Sequence, residues 1–150
     1  MFARAYSSVV VDEVIDVGVE RVFATLADPT TYPEWLAGTD RIRGIDRSFP
    51  AAGSSFAHSV GLGGPLTVDD RTESIGAAPD RHLALRVHAG VFHARVDFEL
   101  FPEGTDRTRV RFSEQPIGPA RPLLPLLRPI LYLRNRGSLH RLHQLLTALS

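Results

Sequence analysis

The chain has 150 residues, of which 43% are hydrophobic and 23% charged, and seventeen basic side chains balance seventeen acidic ones. That length predicts one domain burying roughly 70% of its unfolded surface, and the zero net charge argues against a strongly cationic nucleic-acid binder or an acidic disordered chain. Cysteine and lysine are both absent, which excludes disulfides, thiolate zinc sites, a cysteine nucleophile and a lysine Schiff base.

Met1 to Ser8 lacks the charged-then-apolar layout of a signal peptide. No apolar run approaches the roughly 18–20 residues that span a bilayer. A cytoplasmic protein is the expectation. The first element, Ser8 to Asp16, is β-branched and reads as a strand. Val19 to Asp28 places Val22, Phe23 and Leu26 at helical spacing, and Pro29 stops it. Thr31-Tyr32-Pro33-Glu34 has the pattern of a capping box with proline at the first helical position. A second short helix then carries Trp35 and Leu36 and ends near Gly38.

From there the period falls to two. Strands are predicted near 39–47, 53–62, 66–75, 81–89, 91–102 and 107–114. Turn chemistry separates them, including Gly61-Leu62-Gly63-Gly64-Pro65, Ala89-Gly90 and Glu103-Gly104-Thr105-Asp106. Short strands joined by tight turns make an antiparallel meander. Ala94, Val96, Phe98 and Leu100 share one face, with Arg95, Asp97 and Glu99 on the other. A hairpin about Gly104 sets Asp97 and Glu99 near Arg109 and Arg111 on the solvent face.

The tail differs again. Pro119, Pro122, Pro125 and Pro129 punctuate its start, so helix there is short or kinked. Beyond Pro129, Leu131, Leu142, Leu145, Leu146 and Leu149 form an apolar stripe on a long amphipathic helix. Its outer face carries Arg136, His140, Arg141 and His143. Residues 119–150 hold five arginines and no acid, a charge of +5 against −5 for the remainder. Basic helices can attract membranes or nucleic acid, but the apolar stripe fits a helix docked on a sheet.

Strand, two short helices, six-strand meander and long helix make an α+β fold. A seven-stranded antiparallel sheet with one apolar face needs a cover, and the last helix has the stripe for it. The predicted inner faces hold small or polar residues, among them Thr72, Ser74, Ala89 and Ala94, which permits a pocket. Ile15 through Trp35, IDVGVERVFATLADPTTYPEW, resembles the opening of the START/Bet v 1-like (SRPBCC) superfamily in its polyketide cyclase/dehydrase branch. Further matches are Pro-Asp-Arg-His-Leu at 79–83, Phe-x-Leu-x-Pro at 98–102 and Thr-Arg-Val-Arg-Phe at 108–112. Gly18 departs from the proline often found there. The resemblance implies a helix-grip fold with a deep hydrophobic pocket, with Tyr32 and Trp35 at its entrance, where they either pack the short helices onto the sheet or stack on a ligand. Fold alone does not fix chemistry.

Alternation places Phe56, His58, Val60 and Leu62 on the inner face of one strand and Leu66, Val68, Asp70, Thr72 and Ser74 on that of the next. A hairpin about Gly64 sets His58 opposite Asp70. A carboxylate beside an imidazole fixes its tautomer and raises its pKa. That makes the pair a candidate general acid and base for aldol cyclisation or dehydration; an ordinary buried His–Asp hydrogen bond is the structural alternative. Glu13 shares a face with Val11 and Ile15, yet Val10 and Val14 make the parity ambiguous. Asn135 and Ser138 interrupt the stripe of the last helix, where they either bond a ligand carbonyl or pair with an inner strand residue. Arg134 lies at its edge. Phe56, Thr72 and Phe98 complete the expected lining.

His82, His88 and His93 fall on the outer face with no third ligand at convincing spacing, so no metal is expected. The glycine-rich run at 61–64 lacks the Gly-Lys-Ser/Thr ending of a phosphate loop. The sequence therefore predicts a monomer or homodimer that binds a small hydrophobic molecule without cofactor, nucleic acid or a membrane span. Two readings stand beside each other: a cyclase or dehydratase using His58 and Asp70, and a carrier or sensor of a lipid, pigment or polyketide.

Overall fold

The computed structural model describes residues 8–63 and 66–148. In chain order these form β1 (Val9–Ile15), α1 (Val19–Leu26), a 3-10 turn (Pro29–Thr31), α2 (Tyr32–Trp35) and β2 (Thr39–Arg43). There follow β3 (Ser55–Gly63), β4 (Leu66–Ala78), β5 (His82–Ala89), β6 (Phe92–Pro102), β7 (Thr108–Ile117), a 3-10 stretch (Gly118–Leu123) and α3 (Leu124–Ala148). The strands make one antiparallel seven-stranded sheet in the order β1-β7-β6-β5-β4-β3-β2. β2 to β7 are the expected meander, and β1 returns to pair with β7. The predicted α+β helix-grip architecture is therefore the one observed.

The period-two reading sets the faces. On β6, Ala94, Val96, Phe98 and Leu100 are buried while Arg95, Asp97 and Glu99 between them are more exposed. The β5–β6 turn is tight because Gly90 takes a φ of 63°, a left-handed conformation that other residues adopt at a cost. The outer-face charges pair differently from the expectation. Glu99 does lie opposite Arg111, but the Arg111 guanidinium makes bidentate bonds of 2.9 and 3.1 Å to Asp12 of β1. Asp97 is taken by Arg95 at 2.9 Å and by His82 at 2.8 Å. A carboxylate within reach of a planar fork on the next strand wins that fork.

Other boundaries shift for local reasons. The Thr31 hydroxyl does not cap α2. It donates to the Asp28 carbonyl at 2.8 Å and accepts from Trp35 Nε1 at 3.1 Å. Capping falls instead to Asp28, whose Oδ1 accepts from the Thr30 amide at 3.1 Å. β2 stops at Arg43 rather than running to residue 47, and Gly44 beyond it has a φ of 61°. Its pairing with β3 slips between Thr39 and Arg41, leaving a bulge on this edge strand. The last helix begins at Leu124 and includes Pro129. Pro125 lies in the first turn, where no N–H is needed; Pro129 lacks the N–H that would reach the Pro125 carbonyl. Leu149 of the predicted stripe lies outside the described residues.

The core lies between the concave face and α3. Leu131, Leu139, Leu142 and Leu146 of the helix are buried, as are Asn135 and Ser138. An edge-to-face aromatic series runs through it. Phe56 meets Tyr32 at 5.6 Å, Tyr32 meets Trp35 at 5.3 Å, Trp35 meets Phe98 at 5.8 Å and Phe98 meets Phe112 at 4.7 Å. Such contacts add about 0.5–1.5 kcal/mol each beyond area burial, and they fix α2 against β3, β6 and β7.

Candidate functional site

A partly open cavity of about 100 Å³ lies between the concave sheet face and α3. Its wall is mostly apolar: Phe56 from β3, Leu85 and Val87 from β5, Val96 and Phe98 from β6, Phe112 from β7 and Leu36 beside α2. The polar side chains on that wall are Tyr32, Thr39, His58, Thr72, Glu114, Arg134 and Asn135. An engineered apolar cavity of roughly 150 Å³ holds one benzene ring, so this space suits a ring or a short chain rather than an elongated pocket. A larger groove of about 970 Å³ lies elsewhere, lined by outer-face charges such as Asp12, Arg95, Asp97 and Arg111. Those groups already satisfy one another, so the interior cavity is the better candidate.

His58 sits in the wall as predicted, 2% exposed. Its backbone register partner is Asp70, also as predicted. The expected carboxylate–imidazole bond is nevertheless not made. Asp70 Oδ2 accepts from the Gly90 amide at 2.9 Å and Oδ1 from the Arg71 amide at 2.8 Å. Sharing a register position fixes which face a side chain leaves, but not which groups it then bonds, and here the carboxylate takes the amides of Gly90 and Arg71. Among the described residues, His58 Nε2 is the one buried side-chain nitrogen or oxygen without a hydrogen-bond partner. The His58 pKa moves opposite to expectation. Burial lowers it from 6.5, against the opposing pulls of the Arg71 backbone and the Asp70 charge. The imidazole is thus neutral at pH 7, with its buried Nε2 left without a partner.

Glu114 was not singled out from sequence. Alternation from Val110 and Phe112 carries it onto the same inner face, so its signal was present. Burial raises its carboxyl pKa above 4.5, with the Asn135 hydrogen bond and the Arg134 charge pulling it partly back. Asn135 Nδ2 donates to Glu114 Oε1 at 2.8 Å, which realises the strand-pairing alternative for Asn135 while keeping both groups on the cavity wall. Phe56, Thr72, Phe98 and Tyr32 line the cavity as expected. The Tyr32 hydroxyl donates to the Leu26 carbonyl; burial, helped by the Asp28 charge, raises its pKa far beyond the usual range, so it stays protonated.

Three further candidate residues lie away from the cavity wall. Trp35 is fully buried against Tyr32 and Phe98 and does not reach the cavity. Its bulk fills the gap between α2 and the sheet. Glu13 points inward but toward α3, where its Oε2 lies 3.1 Å from His143 Nδ1 and 3.5 Å from His140 Nδ1. His143 therefore faces β1 rather than solvent. Ser138 Oγ accepts from the Ala37 amide at 2.9 Å and donates to the Arg134 carbonyl at 3.0 Å. Arg134 donates to the Ala37 carbonyl at 3.0 Å and Arg141 to the Trp35 carbonyl at 3.1 Å. Together these three side chains strap the 36–39 segment, which forms part of the cavity wall, onto α3. No cluster of histidine and carboxylate ligands suited to a metal occurs among the described residues.

The family model for polyketide cyclase / dehydrase and lipid transport matches residues 7–147, so the chain belongs to that family. Solved structures share the fold at low identity. A Rhodobacter sphaeroides protein is 17% identical with a TM-score of 0.76, covering 96% of this chain and 94% of its own. A Thermus thermophilus protein, TTHA0849, is 18% identical with a TM-score of 0.74, covering 95% and 99%. The Zhui aromatase/cyclase from Streptomyces sp. R1128 is 16% identical with a TM-score of 0.69, covering 91% of each chain. No curated protein sequence matches it.

Proposed function

We propose that the protein takes a small hydrophobic, carbonyl-bearing molecule into the interior cavity and catalyses proton transfer of the cyclase or dehydratase type. The observation that carries this reading is the unpartnered Nε2 of His58, buried in a mostly apolar wall. A buried polar atom without a partner costs about 1–3 kcal/mol, and a ligand proton or acceptor at that position removes the cost. A neutral imidazole is a competent base at pH 7. It takes a proton from the carbon next to the ligand carbonyl, and the C–H electron pair becomes the enolate.

Glu114 is the complementary group. Burial favours its protonated form, which donates a hydrogen bond, or the proton itself, to the developing enolate oxygen or to a departing hydroxyl. In dehydration the carbon–oxygen bond breaks, water leaves with the proton from Glu114, and the proton held by the imidazolium passes through solvent back to the Glu114 carboxylate, which restores both groups. Asn135 holds the Glu114 carboxyl from the helix side. Two titratable groups pushed in opposite directions, one base and one acid, divide the two roles. No cofactor is invoked, and Asp70 is a positioning residue for the strand turn.

The test is exchange of α-protons. The protein is incubated in D₂O with small aryl and alkyl ketones, and deuterium uptake at the carbon beside the carbonyl is followed by NMR. Acceleration that is lost in His58→Leu, with ketone binding retained, supports the reading. Equal exchange with and without protein, alongside tight binding, favours the carrier role instead.

A further inference from the structure

We propose that the outward face of the first half of α3 docks on an anionic lipid surface. Leu126, Ile130 and Leu133 are spaced so that they share one helix face, and they are 74%, 55% and 69% exposed. Leu123, one residue before the helix, is exposed as well. The opposite face of the same turns already carries buried Leu124 and Leu131, with Leu127 partly buried beside them. These turns are thus apolar on both sides, whereas a helix that only covers a sheet needs one apolar stripe. Large aliphatic side chains grouped on a surface mark a place of contact.

Charge selects the occupant. Residues 119–150 carry Arg121, Arg128, Arg134, Arg136 and Arg141 and no acid, while the rest of the chain carries −5. A second copy docking face to face sets two such helices together, and the like charges repel. A ridge of aliphatic side chains with guanidinium groups beside it matches the boundary of an anionic bilayer. The aliphatic groups enter the acyl region and the exposed guanidinium groups of Arg121 and Arg136 meet phosphates, while the other arginines of the segment add to the attracting charge. The negative remainder of the molecule is repelled by the same surface, so a single orientation is selected. Contact is peripheral, since no helix among the described residues is long and apolar enough to cross a membrane. Arg134 belongs to both the flank of the ridge and the cavity wall, so docking places the cavity beside the lipid. This inference does not depend on any reaction in the cavity.

The experiment is co-sedimentation of the full chain with vesicles of phosphatidylcholine alone and with phosphatidylglycerol added, at low and high salt. The triple variant Leu126→Ser, Ile130→Ser, Leu133→Ser is run beside it. These side chains are exposed and lie outside the cavity, so unfolding temperature and ketone binding stay as in the parent. The expected result is binding at least about tenfold stronger to anionic vesicles, weakened by salt and reduced about tenfold in the triple variant. Absence of binding, equal binding to neutral vesicles, or self-association that the triple variant abolishes would overturn the proposal. None of these outcomes alters the α-proton exchange, so failure here and failure of the cavity reading are separable.

Discussion

His58 and Asp70 stand opposite each other across β3 and β4, yet the Asp70 carboxylate bonds the Gly90 amide at 2.9 Å and leaves His58 Nε2 without a partner. The carboxylate therefore braces the β5–β6 turn rather than the imidazole. Asp70→Asn keeps an acceptor for the Gly90 amide and removes a charge that raises the His58 pKa. We expect α-proton exchange to persist within a few-fold and unfolding free energy to fall by about 1 kcal/mol. Exchange kinetics and urea denaturation read both. Loss of exchange as complete as in a His58 variant would restore the dyad.

His58 itself is a cost to the fold. Its pKa is lowered in the folded protein, so the stability it contributes is full above about 6.5 and is lost as pH falls through the folded value. His58→Leu removes both the unpartnered nitrogen and that acid-side loss. The variant should be more stable than the parent by about 1–2 kcal/mol at pH 7, by a margin that widens toward pH 5, while exchange is abolished. Denaturation midpoints across that range check it; a destabilised variant at neutral pH argues for a structural histidine.

Glu114 has the opposite slope. Its pKa is raised on folding, so its contribution is full below about 4.5 and is lost as pH rises through the folded value. Glu114→Gln keeps an acceptor for Asn135 and cannot ionise. Parent and variant should converge in stability at low pH, with the variant gaining on the parent as pH rises. Exchange should fall at least tenfold in the variant, since the acid is gone. A flat difference across pH would mean that the carboxyl is not held neutral.

The strap on the 36–39 segment is testable separately. Ser138→Ala leaves the Ala37 amide without its acceptor, at a cost of about 1–2 kcal/mol. Amide hydrogen exchange at Ala37 should speed up, and so should ketone dissociation. Unchanged exchange at Ala37 would show that Arg134 and Arg141 suffice to hold the segment.

Much of this was legible in the residues because alternation is strict where one face is buried. Phe56, His58, Asp70 and Thr72 fell on the predicted faces, and the same parity carried Glu114 inward. Alternation fixes faces and not rotamers, so it could not say that Asp70 turns to Gly90 or that Glu13 reaches His143 across the α3 interface. Thr31 shows the other limit. Its spacing to Glu34 matches a capping box, but its hydroxyl is taken by the Thr25 and Asp28 carbonyls and by the Trp35 indole instead. For Trp35 the sequence leaves packing and ligand stacking side by side, and its size decides for the core.

The two outermost strands of the sheet differ in how they refuse company. β2 is five residues long, interrupted by a bulge and rich in charge at Asp40, Arg41 and Arg43. β1 is held to α3 by Glu13 and His143. An extended peptide seeking to lengthen the sheet finds a broken ladder at one rim and an occupied flank at the other. The half-shell can thus remain open along its edges without recruiting neighbours into fibres, and the small cavity beneath α3 keeps its walls.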